Sequence, residues 1–240
     1  MSKAIEIKNL NYTYPDSTPA LRDINLSIDH GERVVIIGPN GAGKSTLLLA
    51  IGCFIRTCGS VSVNGIENKS KNIKEIRRVI GAVFQNPDEQ LFMPRLIDDI
   101  AFGPLNMGLS PEEALDAAKA ALEQVGLTGF ENKEPHHLSA GQKRAAAVAS
   151  ILSMSPSIIT MDEPDSNLDP AGRRNLVKLL NGLDKTIIIA GCSMGFLSQI
   201  AERAVLIDGG GVVADGDVKE IMSDSNLMES HGLEVPSNFK

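Results

Sequence analysis

Several features that would restrict the function of this chain are missing from its 240 residues. Its three cysteines form no C-x-x-C pair or metal-ligand cluster, so the sequence indicates no disulfide or zinc site, and a reducing compartment is the simplest interpretation. No apolar run approaches the ~18 residues of a membrane-spanning helix. The N-terminus also lacks the apolar core of a signal peptide. We therefore expect no transmembrane segment in this chain.

Basic residues are in deficit as well. The chain has 23 Lys and Arg against 30 Asp and Glu, which gives a formal net charge of −7. Nucleic-acid-binding domains usually carry a basic stripe, so this balance disfavours a nucleic-acid partner. The net charge of the whole chain does not, however, exclude a local basic patch. The sequence also lacks internal repeats, a low-complexity linker and a heptad run. Its length is sufficient for one or two domains with a real core.

The stretch VVIIGPNGAGKST at residues 34–46 predicts a nucleotide phosphate site. Its β-branched run is followed by a match to G-x-x-x-x-G-K-[ST], in which backbone N–H groups turn inward on an anion at a helix start. Lys44 would reach the β- and γ-phosphates, and Ser45 would offer its hydroxyl to Mg²⁺. A tight strand-to-helix connection is the alternative. The predicted cradle comprises Gly38, Pro39, Asn40, Gly41, Ala42, Gly43, Lys44, Ser45 and Thr46.

A second apolar run, at residues 157–161, ends in two acidic residues, Asp162 and Glu163. A carboxylate at the carboxyl end of a buried strand can hold the water shell of Mg²⁺ beside Ser45, which makes Asp162 a candidate metal residue. Glu163 could polarise a water for attack on the γ-phosphorus. The alternative is an exposed acidic strand end without a function.

The motif Leu138-Ser139-Ala140-Gly141-Gln142 precedes an alanine-rich helical run. Ser139 and Gly141 at a helix start would form a second anion-binding end. One phosphate loop and two anion sites in a chain suggest that two chains share their nucleotides.

The distribution of apolar residues predicts an α/β fold. Alternating apolar and polar residues at 4–10 and 24–28 predict two half-buried, antiparallel strands, and Asn64-Gly65 predicts a hairpin turn. Fully apolar β-branched runs, separated by helical segments, predict a parallel sheet. These runs lie at residues 34–37, 79–84, 157–161, 186–190 and 204–207.

The spacing changes to that of helices after residue 88. Ser110 followed by Pro111 predicts a helix start, and this helix would end before Gly126. We therefore predict one domain over residues 1–240. It would consist of an α/β core with the antiparallel strands (residues 1–87 and 156–223), a helical subdomain (residues 88–155) and a tail without a clear signal (residues 224–240).

Together these motifs resemble the ATP-binding-cassette (ABC) ATPases over essentially the whole chain. The signature of that family is LSGGQ, and LSAGQ is similar to it, with Ala140 at a position that is usually Gly. The resemblance implies a P-loop NTPase core, with ATP and Mg²⁺ as ligands. It also implies a head-to-tail dimer, in which Ser139 and Gly141 of one chain contact the γ-phosphate held by the Lys44 loop of the other.

The resemblance implies further roles at matching positions. Tyr14 stands where these proteins stack an aromatic ring on adenine. Gln85 matches the Q-loop glutamine, which senses Mg²⁺ and contacts the transmembrane partner. Residues 166–169 resemble the loop that crosses the dimer seam. The implied catalytic set is Glu163, Gln85 and Lys44, and the implied metal set is Ser45, Gln85 and Asp162.

Three segments look closer still to the energy-coupling-factor subgroup, the cobalt, nickel and vitamin importers. They are PDEQLF at 87–92, DDIAFGPLNMGLS at 98–110 and EPHHLSAGQKR at 134–144. This likeness implies an ATP-hydrolysing subunit at the cytoplasmic face of the membrane, bound peripherally. Its partners would be a second ABC ATPase subunit, identical or different, and one or more transmembrane subunits. The cargo is not indicated.

The chain departs from the family pattern after the run at 186–190, where Cys192 stands in place of a histidine that helps to hold the attacking water. A thiol is a shorter and weaker donor, so we expect nucleotide binding to survive and turnover at this chain's own site to be slow. The methyl of Ala140 and the charge of Asp165, where the family usually has Thr, point the same way.

Two other functions remain open on these residues. One is a nucleotide-gated dimerising subunit with little or no ATPase activity. The other is a soluble cassette that acts on DNA or ribosomes, which the acidic charge disfavours. We do not expect a metal site at His136 and His137, because adjacent side chains usually point apart and no acidic ligand stands at helical spacing.

Overall fold

The computed structural model describes residues 3–239, which form two β-sheets and nine α-helices. The strands are β1 (Lys3–Thr13), β2 (Pro19–Asp29), β3 (Arg33–Ile37), β4 (Cys58–Val63), β5 (Ile66–Glu67), β6 (Ile80–Val83), β7 (Ile158–Asp162), β8 (Thr186–Ala190), β9 (Arg203–Asp208) and β10 (Gly211–Asp217). The helices are α1 (Lys44–Ile51), α2 (Ile73–Val79), α3 (Leu96–Met107), α4 (Pro111–Gln124), α5 (Ala140–Leu152), α6 (Pro170–Asn181), α7 (Met194–Leu197), α8 (Val218–Ser223) and α9 (Ser225–Ser230).

The larger sheet has six strands in the order β10-β9-β3-β8-β7-β6. All neighbours except β10 and β9 are parallel. Parallel strands are usually covered on both faces, which explains the short, wholly apolar runs that form them. The predicted α/β fold with a parallel sheet is confirmed.

Helices and strands cover the two faces of this sheet through alternate residues of its strands. In β3, Val34 and Ile36 belong to one buried cluster, together with α1 and the smaller sheet. Val35 and Ile37 belong to the other cluster, together with α3, α4 and α5. Because the side chains of a strand alternate between its faces, one short strand holds both layers in place.

The smaller sheet is antiparallel, in the order β2-β1-β4-β5. Its last two strands are joined by Asn64 and Gly65, whose φ angles of 50° and 77° are those of the tight hairpin turn that Asn-Gly favours. The predicted antiparallel strands and hairpin are confirmed.

Three of the longer helices lie in the chain between β6 and β7. Helix α4 begins with a capping box, in which Ser110 and Glu113 each bond the other's backbone N–H. The described helices are all too short or too polar to span a bilayer. The division of the chain into subdomains stays a prediction.

The tail contains structure that the sequence pattern did not predict. Helix α9 places Met228 in the larger core, and Leu233 follows it there. His231 Nδ1 lies 2.8 Å from Asp208 Oδ2 at the end of β9. The helix is only six residues long, too short for a periodic apolar pattern to mark it.

The capping box makes a stability prediction. Replacing Ser110 with Ala removes the oxygen that accepts from Glu113 N–H, so we expect a loss of about 1 kcal/mol in the free energy of unfolding. Urea denaturation followed by circular dichroism measures this loss. Asp116→Ala on the exposed face of the same helix is the control, and an equal loss in both variants would contradict the capping role.

Candidate functional site

A glycine-rich loop at residues 38–43 leaves β3 and enters α1 at the carboxyl edge of the parallel sheet. Gly38 and Gly43 have φ angles of 152° and 104°. A Cβ atom on Gly38 would overlap the carbonyl of Ile207, and one on Gly43 would overlap the carbonyl of Ala20. Only glycine therefore allows the loop to pack this closely against the strands around it.

The side chain of Lys44 folds back across this loop. Its buried ammonium donates to the carbonyl oxygens of Gly38 and Pro39, at 2.7 and 2.9 Å. An ammonium has three N–H donors, so these two bonds fix its position and leave one donor for a ligand. The loop thus holds a positive charge at a helix start, an arrangement that suits an anion.

Tyr14 is fixed beside the first turn of α1. Its hydroxyl oxygen lies 2.8 Å from the buried Thr46 Oγ1, and its ring packs edge-to-face on Tyr12 with centroids 5.0 Å apart. Tyr14 as a whole remains 37% exposed, so part of the residue is available to a ligand at the loop.

Asp162 ends β7 beside the loop. Burial raises the pKa of its carboxyl, and the charge of Glu163 acts in the same direction, while the Ser45 hydroxyl and Lys44 lower it. Within residues 3–239, its buried Oδ1 has no hydrogen-bond partner. A buried carboxylate oxygen without a partner, next to a serine hydroxyl, is a donor set that fits Mg²⁺.

Glu163 has a left-handed backbone, with φ of 42°, which is uncommon for a residue other than glycine. Its N–H donates to Ala190 O at 2.8 Å, which ties the turn to the end of β8. Its Oε2 accepts from Gln85 Nε2 at 2.7 Å. Strained backbone of this kind is found preferentially at functional sites.

Cys192 follows β8 and faces both the loop and Glu163. Its Sγ lies 3.6 Å from Asn40 Oδ1, 3.7 Å from Gly38 O and 3.9 Å from Glu163 Oε1. The thiol therefore stands between the anion loop and Glu163, where the sequence predicts the departure from the family pattern.

Ser139 and Gly141 lie on a different cavity, of about 770 Å³, which α5 shares with α4 and α6. Ser139 caps α5 by accepting from Gln142 N–H, and Gln142 bonds back to the N–H of Ser139. The predicted site residues therefore fall into two places. The loop residues lie together with Tyr14, Gln85, Asp162 and Glu163, whereas Ser139 and Gly141 lie apart from them.

The rings of His136 and His137 do not point apart as expected, while the absence of a metal site there stays a prediction. Their ring centroids are 4.1 Å apart, and Glu134 Oε2 lies 2.9 Å from His136 Nε2 and 3.9 Å from His137 Nδ1. A 3-10 turn over Pro135–His137 causes this, because it brings the adjacent rings and the preceding acid to one exposed side.

Arg144 was missed as a site residue, although its spacing from Ala147, Val148 and Ile151 marks the buried face of α5. The residue is 2% exposed. Its guanidinium donates to Phe84 O and Gln85 O, both at 2.7 Å. Burial lowers the pKa of Arg144.

Asp165 has a different environment from the one expected. It is buried, its charge acts on Arg144, and its Oδ2 lies 3.8 Å from Arg173 Nε. Two arginines therefore compensate its charge, which weakens the expectation that Asp165 slows turnover.

The sequence profile of the ABC transporter family matches residues 21–166. The chain belongs to this family. It is an ABC ATPase, which binds and hydrolyses ATP. The predicted family and P-loop NTPase fold are confirmed.

Similar proteins cover almost all of this ABC ATPase. The energy-coupling factor transporter ATP-binding protein EcfA of Methanothermobacter thermautotrophicus is 42% identical over 238 residues, which are 97% of this chain and 76% of that protein. CbiO1 of Clostridium perfringens, described as part of the ABC transporter complex cbiONQ, superposes with a TM-score of 0.84 at 34% identity, over 96% of this chain and 94% of its own. The cassette MJ0796, a dimer bound to ADP and Pi, superposes with a TM-score of 0.80 at 30% identity, over 89% of this chain and 98% of its own.

The position of Cys192 makes the site testable with a thiol reagent. We expect Mg-ATP to slow maleimide labelling of Cys192 in a Cys58→Ser variant, because nucleotide on the loop would cover the thiol. At 100 times Kd the free site falls by on the order of 100-fold, which sets the protection expected. Mass spectrometry of the intact chain measures the rate.

The matched control is the Cys192→Ser variant, which retains the exposed Cys58 on the smaller sheet, while Cys53 is buried in both. Nucleotide should leave labelling of Cys58 unchanged. Equal protection of both thiols, or of neither, would contradict the location of the site.

Proposed function

We propose that this ABC ATPase is the ATP-binding subunit of an energy-coupling-factor type importer, which couples ATP binding and hydrolysis to transport by membrane partners. The observation that carries the proposal is the convergence of Lys44, Asp162 and Glu163 with Gln85 at one edge of the parallel sheet. The identity to EcfA supports the importer subgroup. The cargo is left open.

The loop residues bind the triphosphate of ATP, through their amides and through the free N–H of Lys44. Tyr14 stacks on the adenine, which its exposed ring supports. The residues that contact nucleotide within the chain are Tyr14, Gly38, Pro39, Asn40, Gly41, Ala42, Gly43, Lys44, Ser45 and Thr46.

Ser45, Asp162 and Gln85 would hold Mg²⁺. The unpartnered Oδ1 of Asp162 supports this assignment. When bound, the ion supplies charge that neutralises the phosphate oxygens during transfer.

Glu163 accepts a proton from the water that attacks the γ-phosphorus in line. Gln85 holds its Oε2 at 2.7 Å, so the carboxylate is fixed before nucleotide arrives. Catalysis of this kind consists mainly of positioning and charge stabilisation. Lys44 completes the catalytic set by balancing charge on the phosphates.

Turnover at this site is slow, because Cys192 cannot bridge water, phosphate and Glu163 as an imidazole would. Its Sγ is 3.9 Å from the carboxylate, and a thiol is a weak donor. This same observation favours the second candidate function, a nucleotide-gated dimerising subunit with little or no ATPase activity.

The second half of the nucleotide site comes from another chain. Ser139 and Gly141 stand at an exposed helix start away from their own loop, and the MJ0796 cassette is described as a dimer. We infer that these residues meet the γ-phosphate on the Lys44 loop of a second cassette, identical or different.

An exposed aromatic patch, formed by Phe92 and Phe102, supports the proposal that the chain binds a membrane partner. Phe92 is 61% and Phe102 43% exposed, and their rings pack edge-to-face at 5.4 Å. The buried Asp99 accepts from the N–H groups of Phe92 and Met93, which fixes this loop. A rigid apolar patch on an acidic protein fits a protein interface. This interface would hold the chain peripherally at the cytoplasmic face of the membrane.

The patch can be tested by purification from detergent-solubilised membranes. We expect the tagged chain to retain a transmembrane subunit and Phe92→Ser to lose most of it, because the anchor ring is gone. Leu115→Ser, at an exposed position of α4, is the matched control. Co-purification of ribosomes or DNA instead, or equal recovery by both variants, would overturn the proposal.

Slow turnover predicts a gain of function. Cys192→His should raise kcat for ATP hydrolysis on the order of 10²-fold, because it restores one positioned polar group. Cys192→Ser controls for loss of the thiol, and Glu163→Gln should abolish hydrolysis while nucleotide binding remains. Phosphate release measures each rate. A Cys192→His rate equal to that of the natural chain would refute the attenuated site.

A further inference from the structure

We propose that Arg144 is a positioning residue that transmits the state of the Ser139 helix end to Glu163. Nucleotide shared with a second cassette would then set the general base of this chain's own site. The inference rests on the proposed dimer. The inference goes beyond the dimer because it assigns the connection between the Ser139 helix end and Glu163 to one side chain, Arg144.

Two hydrogen-bonded steps make this connection. Arg144 lies in the second turn of α5, the helix that Ser139 caps. Its guanidinium donates to the carbonyls of Phe84 and Gln85, both at 2.7 Å. The side chain of Gln85 then donates to Glu163 Oε2, also at 2.7 Å. A displacement of α5 is therefore passed to the carboxylate.

The loop after β6 also bonds α5 at points farther along the loop. Gln90 Nε2 donates to Ala147 O at 2.9 Å and to Ser150 Oγ at 2.7 Å. Lys143 Nζ lies 2.6 Å from Asp88 Oδ1. These bonds hold residues 88 and 90 of the loop, whereas Arg144 holds the carbonyl of Gln85, the residue whose side chain reaches Glu163.

The same guanidinium reaches the segment after Glu163. Its Nη2 lies 3.3 Å from Ser166 Oγ, and the charge of the buried Asp165 acts on it. A cavity of about 230 Å³ separates this segment from the start of α5 and from residues 86–88. Arg144 lines this cavity, so it joins segments that have space to shift relative to one another.

A role in packing alone does not explain this residue. Arg144 is 2% exposed, and within the described chain its buried Nε has no hydrogen-bond partner. A buried charge with an unsatisfied N–H is destabilising relative to a well-packed apolar side chain. The rigid fork of arginine, however, holds the two adjacent carbonyls through two separate nitrogens in a fixed geometry.

The test is Arg144→Lys, which keeps the charge beside Asp165 but replaces the fixed fork of two donor nitrogens by a single nitrogen on a flexible stem. A misplacement of about 1 Å at a catalytic group costs on the order of 10²-fold in rate. We therefore expect kcat for ATP to fall on that order, with Kd for Mg-ATP changed less than about threefold, the effect of losing a weak pair. The Hill coefficient for ATP should fall towards one.

Arg173→Lys is the matched control, because Arg173 approaches the same Asp165 but is half exposed. It should keep kcat and the Hill coefficient. Thermal unfolding is followed for every variant, and rates are measured well below the lowest midpoint. A merely structural role would lower the midpoint and leave kcat intact.

A fluorescence readout separates coupling from stability. The chain has no tryptophan, so Phe84→Trp gives a single reporter, and its backbone carbonyl still accepts from Arg144. We expect Mg-ATP to change the emission of this reporter when Arg144 is present and to leave it unchanged with Arg144→Lys.

Two outcomes would overturn the inference: a natural kcat and Hill coefficient in Arg144→Lys, or a nucleotide response of the Phe84→Trp reporter that Arg144→Lys leaves intact. A different assay would reveal failure of the proposed function. In that case light scattering of the Glu163→Gln protein with Mg-ATP would show no association, with itself or with a co-purified cassette, whatever residue stands at 144.

Discussion

The rest of this structure depends on the ammonium of Lys44, held by the carbonyls of Gly38 and Pro39 inside the loop. This charge is buried at the edge where parallel strands β3, β7 and β8 all end. Because residues that follow parallel strands share one edge, the acids after β7 and the thiol after β8 come to the same loop. The sheet therefore builds the site before any ligand binds.

On the proposed function, this edge of the sheet supplies half of a nucleotide site. Ser139 and Gly141 begin α5 at an exposed end, turned towards a separate cavity. A second copy or another cassette would complete the site, and Arg144 would join that contact to Glu163 through Gln85. On the proposed function, the weak donor Cys192 and the fixed Glu163 have a common interpretation, in which binding and closure would be retained while hydrolysis at this site would be slow.

Local patterns were enough to predict much of this fold. The phosphate loop, the strand that ends at Asp162 and the Ser110 cap were predicted because each depends on a few neighbouring residues. Arg144, by contrast, acquires its contacts from a loop about 60 residues away. The grouping of His136 with His137 and the docking of α9 depend likewise on a turn and on tertiary packing. The roles of the site residues stay predictions, because they need a ligand to test them.

The most direct measurement of the central claim is a calorimetric titration of Mg-ATP into the natural chain and into Lys44→Ala. The account predicts saturable uptake of one nucleotide per chain. Loss of a hydrogen-bonded charge of about 1.5–3 kcal/mol should weaken binding by on the order of 10- to 100-fold in the variant. Equal titration curves for the two proteins, or no uptake by the natural chain, would contradict the account.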